Sequence, residues 1–109
     1  MMAGMRLSLL IASFALATAA HGADLTAGQA KAKEICQACH GMDGNSATAD
    51  YPKLAGQYPD YLAKALRDYK SGARKNPIMA GMAGALTTND IDNLSAYYAS
   101  QPPVLSRKY

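Results

Sequence analysis

Apolar residues recur at helical spacing in two stretches of this chain, and start and stop signals bracket both. Leu62, Ala65, Leu66 and Tyr69 fall on one face. Pro59 sits in the first turn of that stretch and Gly72 just past its end, the asymmetry expected of a helix. In the second stretch Ile91, Leu94 and Tyr98 form an inward stripe, with Tyr97 alongside. It begins near Thr87 and is stopped by Pro102-Pro103. Asp90 and Asp92 lie in its early turns, where carboxylates favour the helix dipole. A further helix is predicted over residues 27–36, with Thr26-Ala27-Gly28-Gln29 read as its capping box. Gly28 weakens that helix, so we read it as a point of close packing against another helix, in preference to a frayed first turn. Residues 76–82 are punctuated by Pro and Gly and read as a loop. No segment alternates as a strand would. The pattern predicts an all-α fold with about three main helices and long loops.

The first part of the chain is of another kind. Arg6 precedes an apolar run from Leu7 to Ala20, and small residues follow before Asp24. A short positive region, an apolar core and a small-residue exit are the parts of a secretory signal peptide. Residues 1–23 are read as that signal, cut after Gly22 or Ala23, with Ala19 or Ala20 as the alternative. The run is short of the roughly 20 residues a spanning helix needs, so a retained anchor is the weaker reading. Residues 24–109 then form one small domain. Loss of Arg6 lowers the formal charge of +3 by one, to +2. His21 and Phe14 leave too, so His40 becomes the one histidine and every remaining aromatic is a tyrosine.

Cys36-Gln37-Ala38-Cys39-His40 carries the most specific chemistry and reads as a c-type haem attachment site. Cysteines three apart share a face of a helical turn, so both sulfurs can reach one porphyrin. The histidine that follows is then carried under the ring. A thioredoxin-like Cys-x-x-Cys needs a βαβ setting, and nothing strand-like surrounds this one. A structural zinc site needs about four ligands, and the chain has only two cysteines. A domain this small buries a modest core, so a haem fixed at two points would brace it, and the haem-free chain is expected to be largely unfolded.

Six-coordinate iron needs a second axial ligand, and with no second histidine in residues 24–109 a methionine is the natural candidate. Met42 is too near His40 to reach the other face of the ring. Met79 and Met82 remain, and spacing physics does not separate them.

With these residues in place, the chain from about 24 to 101 resembles a class I cytochrome c. It is especially similar to small soluble bacterial monohaem cytochromes and to each half of two-haem periplasmic ones. The likeness rests on the Cys36–His40 motif, Pro52-Lys53-Leu54-Ala55-Gly56-Gln57, and Tyr69-Lys70-Ser71-Gly72-Ala73-Arg74. Met79 with Leu86 seven residues later and Ala96-Tyr97-Tyr98 complete it. The resemblance implies the cytochrome c fold around one haem c, held through Cys36 and Cys39, with His40 as an iron ligand. The methionine-to-leucine spacing selects Met79 over Met82 as the other. It implies that the Pro52 carbonyl meets the His40 imidazole Nδ1–H, and that Gly28 crosses the last helix against Tyr97. There is no tryptophan, so propionate contacts fall to other residues, with Arg74, Asn76 and the tyrosines as candidates.

The function implied is one-electron transfer in the periplasm, by a His/Met haem cycling between ferric and ferrous iron, without catalysis by the chain itself. Redox protein donors and acceptors would dock transiently, a dehydrogenase or terminal oxidase among them, and scattered lysines such as Lys53, Lys64 and Lys70 could steer them. Two other readings are a haem sensor or gas-ligand-binding protein with a vacant sixth site, and the cytochrome subunit of a periplasmic dehydrogenase. Arg74-Lys75 is too small a basic cluster to argue for nucleic acid. No membrane insertion is expected once the signal is gone.

Overall fold

The computed structural model describes residues 22–105, together with Gly4, Ser8, Leu10 and Ile11. The apolar run assigned to an export signal lies almost wholly outside the described residues. From residue 22 the chain makes four helical segments, and no strand occurs among the described residues.

The first segment is continuous from Leu25 to His40 but changes pitch on the way. Helix α1 (Leu25–Lys31) passes into a π-helical turn (Ala32–Cys36), and α2 (Gln37–His40) closes the segment. Such insertions widen one turn, often at functional sites. The cap is Asp24, whose carboxylate accepts from the Ala27 N–H at 3.0 Å. Thr26 is therefore inside the helix, two residues past the cap. An Asp immediately before the helical run supplies the same acceptor, and it competes successfully with the hydroxyl.

Helix α3 (Pro59–Ser71) ends at Gly72, whose φ of 85° is the left-handed stop that a glycine allows without strain. Helix α5 (Thr88–Ala99) starts with a reciprocal capping box: Thr87 Oγ1 accepts from Asp90 N–H, and Asp90 accepts from Thr87 N–H. It ends at Ala99, before the two prolines expected to stop it.

The segment read as a Gly/Pro loop is a helix. α4 (Pro77–Gly84) is capped by Asn76, whose Oδ1 accepts from both Ile78 and Met79 N–H, with Pro77 at the first helical position. Pro has no N–H to lose there, and its fixed φ suits the first turn. Asn-Pro was thus a start signal. At its far end Lys70 of α3 donates to the Gly84 and Leu86 carbonyls. That places a cation where helix carbonyls are left over. Lys70, counted among the lysines for steering, has this structural partner.

α5 is the centre of the packing. Ile91, Leu94, Tyr97 and Tyr98 are buried, and Leu62 and Ala63 of α3, Ala83 of α4 and Ala32 of the first segment meet them. The crossing of α1 on α5 depends on Gly28. A Cβ there would lie 2.2 Å from the Asn93 carbonyl oxygen and 2.9 Å from Tyr97 Cβ. Close helix packing is what this glycine permits.

Candidate functional site

α2 delivers His40 to the interior, 7% exposed, while Cys36 and Cys39 stay half-buried on the same segment. The turn that follows is unusual backbone. Gly41 (φ 80°) and Gly44 (φ 74°) both lie in the left-handed region, and so does Ser46 (φ 54°), a non-glycine residue. Ser46 N–H donates to the His40 carbonyl at 2.9 Å, and the Leu54 and Ala55 N–H groups both donate to Gly44 O. The loop is thereby folded back so that Pro52 reaches the imidazole. His40 Nδ1 lies 2.8 Å from the Pro52 carbonyl oxygen. A carbonyl only accepts, so Nδ1 carries the hydrogen and Nε2 keeps its lone pair for a metal.

Two tyrosines of α5 brace this turn from behind. Tyr97 Oη donates to Met42 O at 2.7 Å, and Tyr98 Oη to Gly41 O at 3.1 Å. They belong to the carbonyls directly after His40. Tyr51 meets the His40 ring edge-on, with centroids 6.4 Å apart.

Cys36, Cys39, His40, Pro52, Met79 and Met82 all line one cavity of about 300 Å³. Residues of α3 that had been assigned to the inward helix face, including Leu62, Leu66 and Tyr69, form more of its largely apolar wall. The two methionines differ. Met79 is half-buried, whereas Met82 is 45% exposed. Arg74 and Asn76 also reach the cavity, and the Arg74 guanidinium stacks over the Tyr69 ring at 4.8 Å. This contact holds the exposed Arg74 side chain against the cavity's edge.

Three observations test whether a haem suits these residues. The cavity is apolar, with soft sulfur donors and an oriented imidazole, the set that haem c uses. Ser95, 2% exposed and part of the cavity wall, has an Oγ without a hydrogen-bond partner. A buried polar atom left so points to something filling the space beside it. Finally, burial pushes the Cys36 thiol up to about 11, against the smaller opposing pull of its contact with Tyr98. A thiol held neutral at pH 7 is poorly suited to the thiolate chemistry of a redox Cys-x-x-Cys. Among the described residues, no three His, Cys, Asp or Glu side chains converge as a metal cluster would require. The residues fit a covalently held haem, and fit a dithiol or zinc site poorly.

Comparison with known proteins decides the family. Residues 25–101 match the family model described as cytochrome c. The chain belongs to the cytochrome c family. Its cofactor is therefore haem c with iron, and Cys36 and Cys39 have the attachment spacing. It is 51% identical over 79 residues to cytochrome c4 of Thiocapsa roseopersicina, covering 72% of this chain and 41% of that one. It is 44% identical over 69 residues to a thiosulfate dehydrogenase electron acceptor of Thiomonas intermedia, covering 62% of this chain and 32% of that one. The fold matches the crystal structure of reduced recombinant cytochrome c4 from Pseudomonas stutzeri with a TM-score of 0.71 and 41% identity. That match covers 77% of this chain and 48% of the other. The chain thus spans half or less of the length of these relatives. The all-α cytochrome c fold expected from the sequence is the fold observed, with α4 added to its helices.

Sequence reasoning missed the tyrosine hydroxyls and Ser95. Tyr97 and Tyr98 were read as core, which they are, but their hydroxyl partners lie 55 and 57 residues away. Helical periodicity carries no signal for such partners.

Proposed function

We propose that this chain is a one-electron carrier of the periplasm, with haem c attached through Cys36 and Cys39 and iron held between His40 and Met79. Bound haem c supplies an iron that takes up and releases one electron without needing an open coordination site. The chain's own residues do the rest. Pro52 fixes the His40 tautomer and strengthens the ring as a donor. α4 presents Met79, the more buried methionine, to the same cavity. The apolar wall excludes water, and Arg74 and Asn76 at the cavity serve as partners for propionate carboxylates.

The observation that carries this reading is the convergence of a Pro52-oriented His40, both cysteines and Met79 on one apolar cavity. Residues 1–23 serve as the export signal, which fits attachment of the haem outside the cytoplasm. Among the described residues no helix is long and apolar enough to cross a membrane. Partners are redox proteins, and the electron acceptor of thiosulfate dehydrogenase among the relatives favours a dehydrogenase as donor.

Optical spectra of the exported protein test the proposal, taken oxidised, reduced, and reduced with carbon monoxide. Sharp low-spin bands, a near-red sulfur-to-iron transition and no response to carbon monoxide are expected. A high-spin spectrum that shifts with carbon monoxide would overturn it in favour of a sensor or gas-binding protein.

A further inference from the structure

The loop that orients His40 is gripped by a segment far from it in sequence. After α5, residues 102–104 cross back over that loop, and Asn45 holds them with both ends of its amide. Asn45 Nδ2 donates to Pro102 O at 3.1 Å, and its Oδ1 accepts from Val104 N–H at 2.7 Å. Lys53 Nζ donates to Val104 O at 2.8 Å. Between these contacts Pro103 lies on Gly56, where a Cβ would stand 2.9 Å from the proline ring and where φ is +70°. Only glycine suits that position on both counts.

The grip is placed on either side of the residues that touch His40. Asn45 is anchored by its own N–H to Asp43 Oδ1 at 3.0 Å, and its neighbour Ser46 donates to the His40 carbonyl. Lys53 follows Pro52, whose carbonyl takes the imidazole hydrogen. The Gly56 N–H, in turn, donates to Tyr98 O of α5 at 3.1 Å. The chain leaves His40 through Ser46, returns to it at Pro52, and is crossed by the tail at Asn45, Lys53 and Gly56.

We propose that Asn45 is a positioning residue for His40: by gripping residues 102–104 it holds the Pro52 carbonyl against the imidazole and so tunes the iron. This rests on the reading of His40 as an iron ligand. A firm Nδ1–H···O bond makes the ring more basic and favours ferric iron. Loosening the strap lets the carbonyl drift, weakens the ring as a donor and raises the midpoint potential. A side chain that only braced the surface would leave the potential where it is.

The test uses full-length holoprotein with Asn45→Ala, Val104→Pro and the double variant. Val104→Pro removes one of the two Asn45 amide bonds from the tail side, at an exposed residue, so it remains informative if Asn45→Ala folds poorly. The near-red band of the parent protein is recorded first; its absence there would count against the His/Met reading itself, separately from the strap. Expected are an upward shift of midpoint potential in each single variant, the near-red band retained, and faster amide exchange at Leu54, Ala55 and Gly56. The double variant should shift little beyond Asn45→Ala alone, since that substitution already removes the Val104 bond along with the one to Pro102. Asn45→Asp keeps the acceptor for Val104 and loses the donor to Pro102, so its shift should be smaller. Faster exchange with an unchanged potential in both single variants would overturn the proposal, and so would unchanged exchange and potential together.

Discussion

His40 is buried, and its surroundings are braced from three directions: Pro52 at the ring, Ser46 at its carbonyl, and two tyrosine hydroxyls on the next two carbonyls. Met79 sits on an eight-residue helix with an amide cap at one end and a lysine at the other. Gly81 and Gly84 of that helix face open space. The histidine side is thus braced by several hydrogen bonds, while the methionine side is held by its two end contacts and by Ala83 packed into the core. Met79, the proposed second ligand, sits on the side with fewer hydrogen-bonded braces, where local opening is expected to come first.

Mutations should fall out along that contrast. The largest effect belongs to His40→Ala, which should abolish stable holoprotein; normal yield and a normal spectrum would break the comparison at once. Gly28→Ala comes next, because its Cβ would overlap backbone of α5. It should cost about 3 kcal/mol, at the upper end for overpacking, measured by denaturant unfolding of the holoprotein. On the other side, Met79→Ala should leave the protein folded but lower the potential and open the iron to carbon monoxide. Met82→Ala should change neither. The reverse pattern would move the proposed ligand to Met82.

Smaller still is Asn76→Ala, which deletes the cap of α4 and should cost about 1 kcal/mol. Because that helix carries Met79, the near-red band should also bleach at a lower temperature than in the parent, while Soret absorption persists. The smallest effect is one of pH, at the capping box of α5. The Thr87 N–H holds the Asp90 carboxyl below its ordinary range, with burial opposing more weakly. A depressed folded value means stability that is full above the ordinary carboxylate range and is lost as pH falls through the folded one. Asp90→Asn should therefore flatten the acid limb of the stability curve, read by thermal melts below pH 5.

The sequence carried much of the His40 side and little of what braces it. Cys36, Cys39 and His40 were legible because their chemistry is local: three residue types at one helical spacing admit few other uses. α3 and α5 were legible from their stripes and their Pro, Gly, Thr and Asp punctuation. α4 was misread because Pro and Gly were counted as loop signals, when Asn76-Pro77 is a cap followed by the one helical position proline favours. The cap of α1 was placed two residues late for a related reason, since Thr26 and Asp24 offer the same acceptor and only the backbone decides between them. The Pro52 contact was anticipated through likeness to a family; nothing in spacing alone demanded it.

What the sequence determined by itself was the chemistry and the inventory: a covalent haem motif, a histidine beside it, a short set of methionines, and amphipathic helices to enclose them. These follow from neighbours along the chain, where covalent spacing and the helical repeat act over a few residues. What only the tertiary structure decided was the burial of Met79 against Met82, the unpartnered hydroxyl of Ser95, and the bracing of His40 by residues of α5 and the tail. Those contacts join positions as far as 59 residues apart. They exist because helices must cross and loops must close before such side chains meet, and no local pattern encodes which ones will.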